Sequence, residues 1–309
     1  MILWAGRQDN LQRSYFQRLW ELIYPWLVYE GVSFFVMMIY LMVKLMTDPG
    51  LMQDMNNVTA YMNRMNALIQ SDYIVIALFT CLIAIPLMLL FMRLDRKKER
   101  KFQMRFERWE STGPASFVCC LILGAAVCVV FNHVLMYSGL YDLLSKNFEP
   151  VAEMLYTGNF WLELAVVGVL TPIVEVLIFR GLIYRRLRWS LDAKWAMVIS
   201  ALIFAVFHGN LLQGIYAFGI GLLMAYIYER YHHILAPILI HVGANMISVL
   251  LSDSGLLDFV YESDETFIIA TLIMMVVFVI SFYLILTKVV PKRADEDPAV
   301  IPDDHRTYY

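Results

Sequence analysis

"TPIVEVLIFRGLIYRR", residues 171–186, sets Pro172, Glu175 and Arg180 into a run otherwise apolar enough to cross a bilayer. A charged side chain at the bilayer centre costs on the order of 3 kcal/mol even on the gentler insertion scales. A membrane helix that keeps both a carboxylate and a guanidinium therefore needs a reason to keep them.

The rest of the chain fits a membrane setting. Of 309 residues, 60% are hydrophobic and only 17% charged, with a mean hydropathy of +0.63. A soluble domain carries roughly 25% charged residues. The composition excludes a soluble domain and predicts a polytopic membrane protein whose surroundings are lipid, with no nucleic-acid partner. Cys81, Cys119, Cys120 and Cys128 all lie in apolar runs without metal-ligand spacing, which reads as reduced, buried thiols.

A spanning helix needs about 20 mostly apolar residues. Runs at 24–46, 73–92, 116–137, 160–184, 195–212, 213–229, 234–251 and 267–287 qualify or nearly do. The expected fold is all-α, a polytopic membrane bundle of about eight transmembrane helices. Residues 1–23 lack the apolar core and cleavage site of a signal peptide. With Trp4, Tyr15, Phe16, Leu19 and Trp20 among Arg7, Arg13 and Arg18, they are expected to form an interfacial helix. Lys and Arg are strongly biased to one side: the N-terminus, the 93–115 loop with its "RLDRKKERKFQMRFER", residues 185–194, Arg230 and residues 288–293. The other side has Lys44, Arg64 and Lys146 and an acidic loop from Asp253 to Glu265. The positive-inside rule then puts both termini in the cytoplasm. The acidic tail 294–309 reads as disordered. The organisation expected is an interfacial segment 1–23, N-terminal spans over 24–159, a core over 160–251, and a last span with its tail over 252–309.

Inside the spans, polar side chains are few. Glu175 and Arg180 fall in the fourth span, His208 in the fifth ("FAVFHGN"), and His241 and Asn245 in the seventh ("ILIHVGANMIS"). His241 and Asn245 are four residues apart, so both project from one helical face; Phe204 and His208 repeat that spacing. A carboxylate, two imidazoles and a carboxamide together suffice to activate water and hold an oxyanion. Glu175 and Arg180 are five residues apart, roughly 140° around an α-helix, so Arg180 is expected to support the site rather than stack on Glu175. Glu30, Glu163 and Glu229 sit nearer span ends and read as interfacial. Asn132 and His133 read as interhelical hydrogen-bonders. At about 1.5 Å per residue, His208 lies roughly 20 Å along its span, against roughly 13 Å for Glu175 and 10 Å for His241, depths that agree only loosely.

The order "PIVEVLIFRG", then Phe204-xxx-His208, then His241-xxx-Asn245 resembles the CAAX-processing and bacteriocin-processing intramembrane endopeptidases. That family takes in type II CAAX prenyl endopeptidases and abortive-infection relatives. Its motifs are Glu-Glu-xxx-Arg, Phe-xxx-His and His-xxx-Asn, and the resemblance covers about residues 160–251. It implies a membrane-embedded hydrolase, a protease cutting a peptide or membrane-protein substrate, in a multi-pass protein of a bacterial plasma membrane. Glu175 would be the general base, helped by His208; His241 and Asn245 would hold the oxyanion; Arg180 and Phe204 would support them. No cofactor is implied. A zinc variant would use Glu175, His208 and His241 as ligands, a donor set known for catalytic zinc. The family's second glutamate is Val176 here, which favours the alternative of a weak or inactive member acting as a peptide-binding scaffold or immunity protein. A transporter with a proton relay is a third reading, opposed by the lack of internal repeats.

Overall fold

The computed structural model describes residues 15–101, 109–111, 113–156, 159–253, 260 and 263–291. In chain order the elements are α1 (Tyr15–Thr47), α2 (Pro49–Asp54), α3 (Val58–Ser71), α4 (Tyr73–Lys101), β1 (Trp109–Ser111), α5 (Pro114–Tyr137), α6 (Leu140–Leu144) and α7 (Glu149–Leu155). They continue with α8 (Phe160–Leu187), α9 (Ala193–Val206), α10 (Leu211–Tyr231), α11 (Leu235–Asp253), α12 (Asp264–Lys288) and β2 (Val289–Pro291). The protein is an all-α polytopic membrane bundle. Its strand pairing among the described residues is one short antiparallel ladder, β1 on β2, with Glu110 opposite Val290.

Seven helices, α1, α4, α5, α8, α10, α11 and α12, are long and apolar enough to cross a membrane. The fifth expected span, 195–212, is instead the 14-residue α9, about 21 Å long and short of the roughly 30 Å hydrocarbon core. The apolar run continued to Leu212 but the helix did not, because "HGN" is a turn. Gly209 takes φ +73°, a left-handed backbone that glycine adopts without steric cost. Asn210 then caps α10 by accepting from the Gln213 amide at 2.9 Å. The expected break near residue 23 is also absent. Residues 15–23 are the leading end of the 33-residue α1, held there by Glu21, which pairs with Lys98 at 2.7 Å. Residues 1–14, and the tail from 292 onward, lie outside the described residues.

The basic segments converge on one end of the bundle, as the charge bias requires. Arg186 bonds Asp95 at 2.7 Å and reaches the Glu21 carbonyl and the Tyr24 hydroxyl. Arg185 and Trp189 both donate to Glu99, and Arg188 pairs with Glu229 at 2.8 Å. The β1–β2 ladder ties the 93–115 loop to the end of α12 at this same end. These contacts show that α9 leaves the basic end and α10 returns to it, so the short helix and its partner form a hairpin.

The core gathers around α8, whose residues Val174 and Val176 to Leu182 are almost wholly buried. Against it, α5 and α11 pack backbone to backbone. A Cβ at Gly124 would lie 1.9 Å from the Ile240 carbonyl oxygen, and one at Gly243 would lie 2.1 Å from that of Leu121. Small residues at crossings are how membrane helices come close without a hydrophobic drive. Gly243 lies between His241 and Asn245, so this crossing fixes the helix that presents both.

Candidate active site

Helix α8 is not a regular α-helix. Residues Val166–Leu170 and Leu177–Tyr184 are π-helical, and Glu175 sits in the α-helical turn between them. Pro172 gives a physical cause for the first: it has no amide to donate to the carbonyl four residues back and its ring crowds that carbonyl. Such insertions cluster at functional sites. The second changes the expected 140° between Glu175 and Arg180. The π winding that begins at Leu177 narrows that angle, and Arg180 interacts electrostatically with Glu175.

From this turn the Glu175 carboxylate meets α11. Its Oε2 lies 2.7 Å from His241 Nε2. The Asn245 amide Nδ2 lies 3.2 Å from His241 Nδ1 and 3.1 Å from the His241 carbonyl oxygen. An amide nitrogen only donates, so Nδ1 accepts, and the ring proton belongs on Nε2, directed at the carboxylate. The result is a line, Asn245 to His241 to Glu175. His241 is buried, whereas the Glu175 side chain keeps 27% of its surface exposed.

His208, expected inside a helix, stands in the turn just past α9. Its Nδ1 lies 2.8 Å from the Phe204 carbonyl oxygen. A carbonyl only accepts, so Nδ1 carries the proton and Nε2 holds the lone pair, free to act as a base. The two imidazoles share a neighbour: the Phe204 ring stands edge-on to His208 at 4.7 Å and to His241 at 5.6 Å between centroids. His208 also lies near enough to interact electrostatically with Glu175. The six sequence candidates therefore fall in one connected group.

Arg180 is wholly buried. Its Nη2 donates to the Gly221 carbonyl oxygen at 2.9 Å, and its guanidinium carbon lies 5.1 Å above the Phe204 ring. Nε and Nη1 meet no acceptor among the described residues. Val176, one turn earlier on α8, is buried in the main core and offers none.

Among the described residues no group of three or more His, Cys, Asp or Glu is placed to hold a metal ion. Glu175 and His241 spend their facing atoms on each other. All four cysteines are free thiols. Of the secondary polar candidates, His133 makes an interhelical bond to Thr271 at 2.6 Å, while Asn132 bonds Cys128 on its own helix. Glu163 is buried rather than interfacial; it accepts from the Asn159 amide at 3.1 Å and closes the start of α8.

Sequence reasoning missed two features. Gly221 has no side chain to attract notice. The ion pairs at the basic end were read only as a charge bias, although Asp95 and Glu99 are spaced i, i+4 within a basic run and foreshadow the pairing.

Residues 157–247 match the family model described as type II CAAX prenyl endopeptidase Rce1-like. Over 107 residues the chain is 30% identical to "Putative membrane peptidase YdiL" of Bacillus subtilis (strain 168), across 35% of this chain and 43% of that protein. The alignment thus spans less than half of that relative. No solved structure matches.

Proposed function

With residues 157–247 a domain of the CAAX protease-like family, we propose that the protein is an intramembrane endopeptidase. It hydrolyses a peptide bond in a membrane-associated or hydrophobic-tailed substrate by direct attack of water. The observation that carries this reading is the hydrogen-bonded line Asn245–His241–Glu175, with the basic Nε2 of His208 joined to it through Phe204.

Glu175 takes the proton of a water, and His208 Nε2 holds that water from its other side. The resulting hydroxide forms a bond to the scissile carbonyl carbon, and the carbonyl electrons move onto oxygen. For this oxyanion the donors are the His241 Nε2–H, released from Glu175 as that carboxylate takes up the proton, and the Asn245 amide, turned from the His241 carbonyl; losing one such donor costs about 2.7–4 kcal/mol. When the tetrahedral centre collapses, the C–N bond breaks and the proton held by Glu175 goes to the leaving amine. No acyl-enzyme forms and no metal takes part. The setting proposed is a bacterial plasma membrane, with the basic end in the cytoplasm.

Val176 supports a second reading, a weak or inactive member that binds peptides as a scaffold or immunity protein. The test is incubation of the purified protein with bilayer-anchored peptides, products being read by mass spectrometry, with a chelator control. Cleavage insensitive to chelator supports the hydrolase. Saturable peptide binding with no product supports the scaffold.

A further inference from the structure

We infer that Gly221, on α10, is a positioning residue for both imidazoles, acting through Arg180 and Phe204. The inference rests on the hydrolase reading above. Gly221 touches neither histidine, but it supplies both the acceptor and the space that seat Arg180. Its carbonyl takes the Nη2 proton at 2.9 Å. A Cβ there would lie 3.0 Å from that same Nη2, 3.3 Å from the Ala201 Cβ and 3.3 Å from Phe204 Cδ1.

The next link is Phe204. Arg180 bears on one face of its ring at 5.1 Å, a cation–π contact of the kind that strengthens when desolvated. Phe179 packs beside it at 4.9 Å, so the ring is held from more than one side. Phe204 in turn fixes His208 twice, by the carbonyl that receives Nδ1 and by its ring edge, and lies against His241. A methyl at 221 enters where Arg180 and Phe204 meet, and both must give by a few tenths of an ångström. That displacement reaches the imidazoles without altering any group that bonds substrate or water. Misplacement by about 1 Å at a reacting centre costs about 100-fold in rate, so a few tenths predicts a loss near fivefold to tenfold.

The test compares Gly221→Ala with Gly214→Ala, a substitution on the same helix whose Cβ would sit 3.4 Å from the Ala205 carbonyl oxygen, an ordinary contact. Gly221→Ala is expected to lower kcat fivefold to tenfold with KM unchanged, and Gly214→Ala to change neither. Phe204→Leu keeps an apolar side chain but removes the ring face, and should lower kcat by a similar factor. Because Gly221 acts through Phe204, adding Gly221→Ala to Phe204→Leu should lower kcat no further. If Gly221→Ala does not accumulate as folded protein, Arg180→Lys takes its place in the cycle. Multiplying losses in the double variant, or a change confined to KM, overturns the inference while leaving the hydrolase reading intact. A wild-type protein that turns over no peptide overturns both.

Discussion

Val176→Glu probes the position at which this chain departs from the Glu-Glu-xxx-Arg motif it otherwise resembles. Arg180 is fully buried with two donors unmatched, and position 176 lies one turn before it. Each unmatched buried donor costs about 1–3 kcal/mol, so a carboxylate that met both would recover roughly 2–6 kcal/mol. Against this stand about 1–3 kcal/mol for overfilling a site where Val176 is packed and the several kcal/mol of desolvating a carboxylate. Gain and cost overlap with the cost somewhat larger, so Val176→Glu alone should lower stability by no more than about 2 kcal/mol. Without the guanidinium the same carboxylate is a lone buried charge, a loss of about 3–5 kcal/mol. A thermal-unfolding cycle of wild type, Val176→Glu, Arg180→Met and the double variant, in one detergent at one pH, should therefore show a coupling of about 3 kcal/mol. A coupling below about 0.5 kcal/mol, the level of independent sites, would refute the account of Arg180 as a cation awaiting a partner. In the peptide assay Val176→Glu should keep or raise turnover.

Three other outcomes follow from separate parts of the molecule. Asp95→Asn leaves Arg186 charged and buried, and should lower stability by about 3 kcal/mol, read by thermal unfolding, while Asp95→Leu with Arg186→Met should cost less than either single change. Burial holds the His232 imidazole down at about 4, Arg188 and Arg185 adding to this and Glu229 opposing it. The unfolded chain, titrating near 6.5, therefore binds more protons between those values, and stability should fall as pH drops from about 6.5 to 4. His232→Asn, which tolerates the left-handed backbone at φ 47°, should flatten unfolding curves measured across that window. Glu110→Cys with Val290→Cys should cross-link on oxidation, because the two residues are paired across β1 and β2; no cross-link would break the shared end of the 93–115 loop and α12.

Much of this was legible in the sequence because lipid imposes simple rules. Apolar length placed seven spans, and Lys and Arg counts grouped their ends. The cost of polar atoms in hydrocarbon singled out Glu175, His208, His241 and Asn245. The misses have local causes. Hydropathy cannot see that a run ends inside the membrane, so the α9–α10 turn at His208–Asn210 was read as helix; the glycine and asparagine were the available signal. Ideal α-helical winding could not foresee the π-helical stretch that begins between Glu175 and Arg180. Gly221 was invisible because its contribution is a carbonyl and an absence of side chain.

The central claim is that Glu175 is the base, and the direct measurement is turnover of a bilayer-anchored peptide by Glu175→Gln beside wild type. The glutamine keeps the shape and a partner for His241 but cannot take a proton from water. General-base catalysis contributes about 100-fold to 10,000-fold. The account predicts that kcat falls by at least 100-fold while the variant inserts and unfolds at a temperature close to wild type. Unchanged turnover in the folded variant would remove the carboxylate from the chemistry and contradict the account.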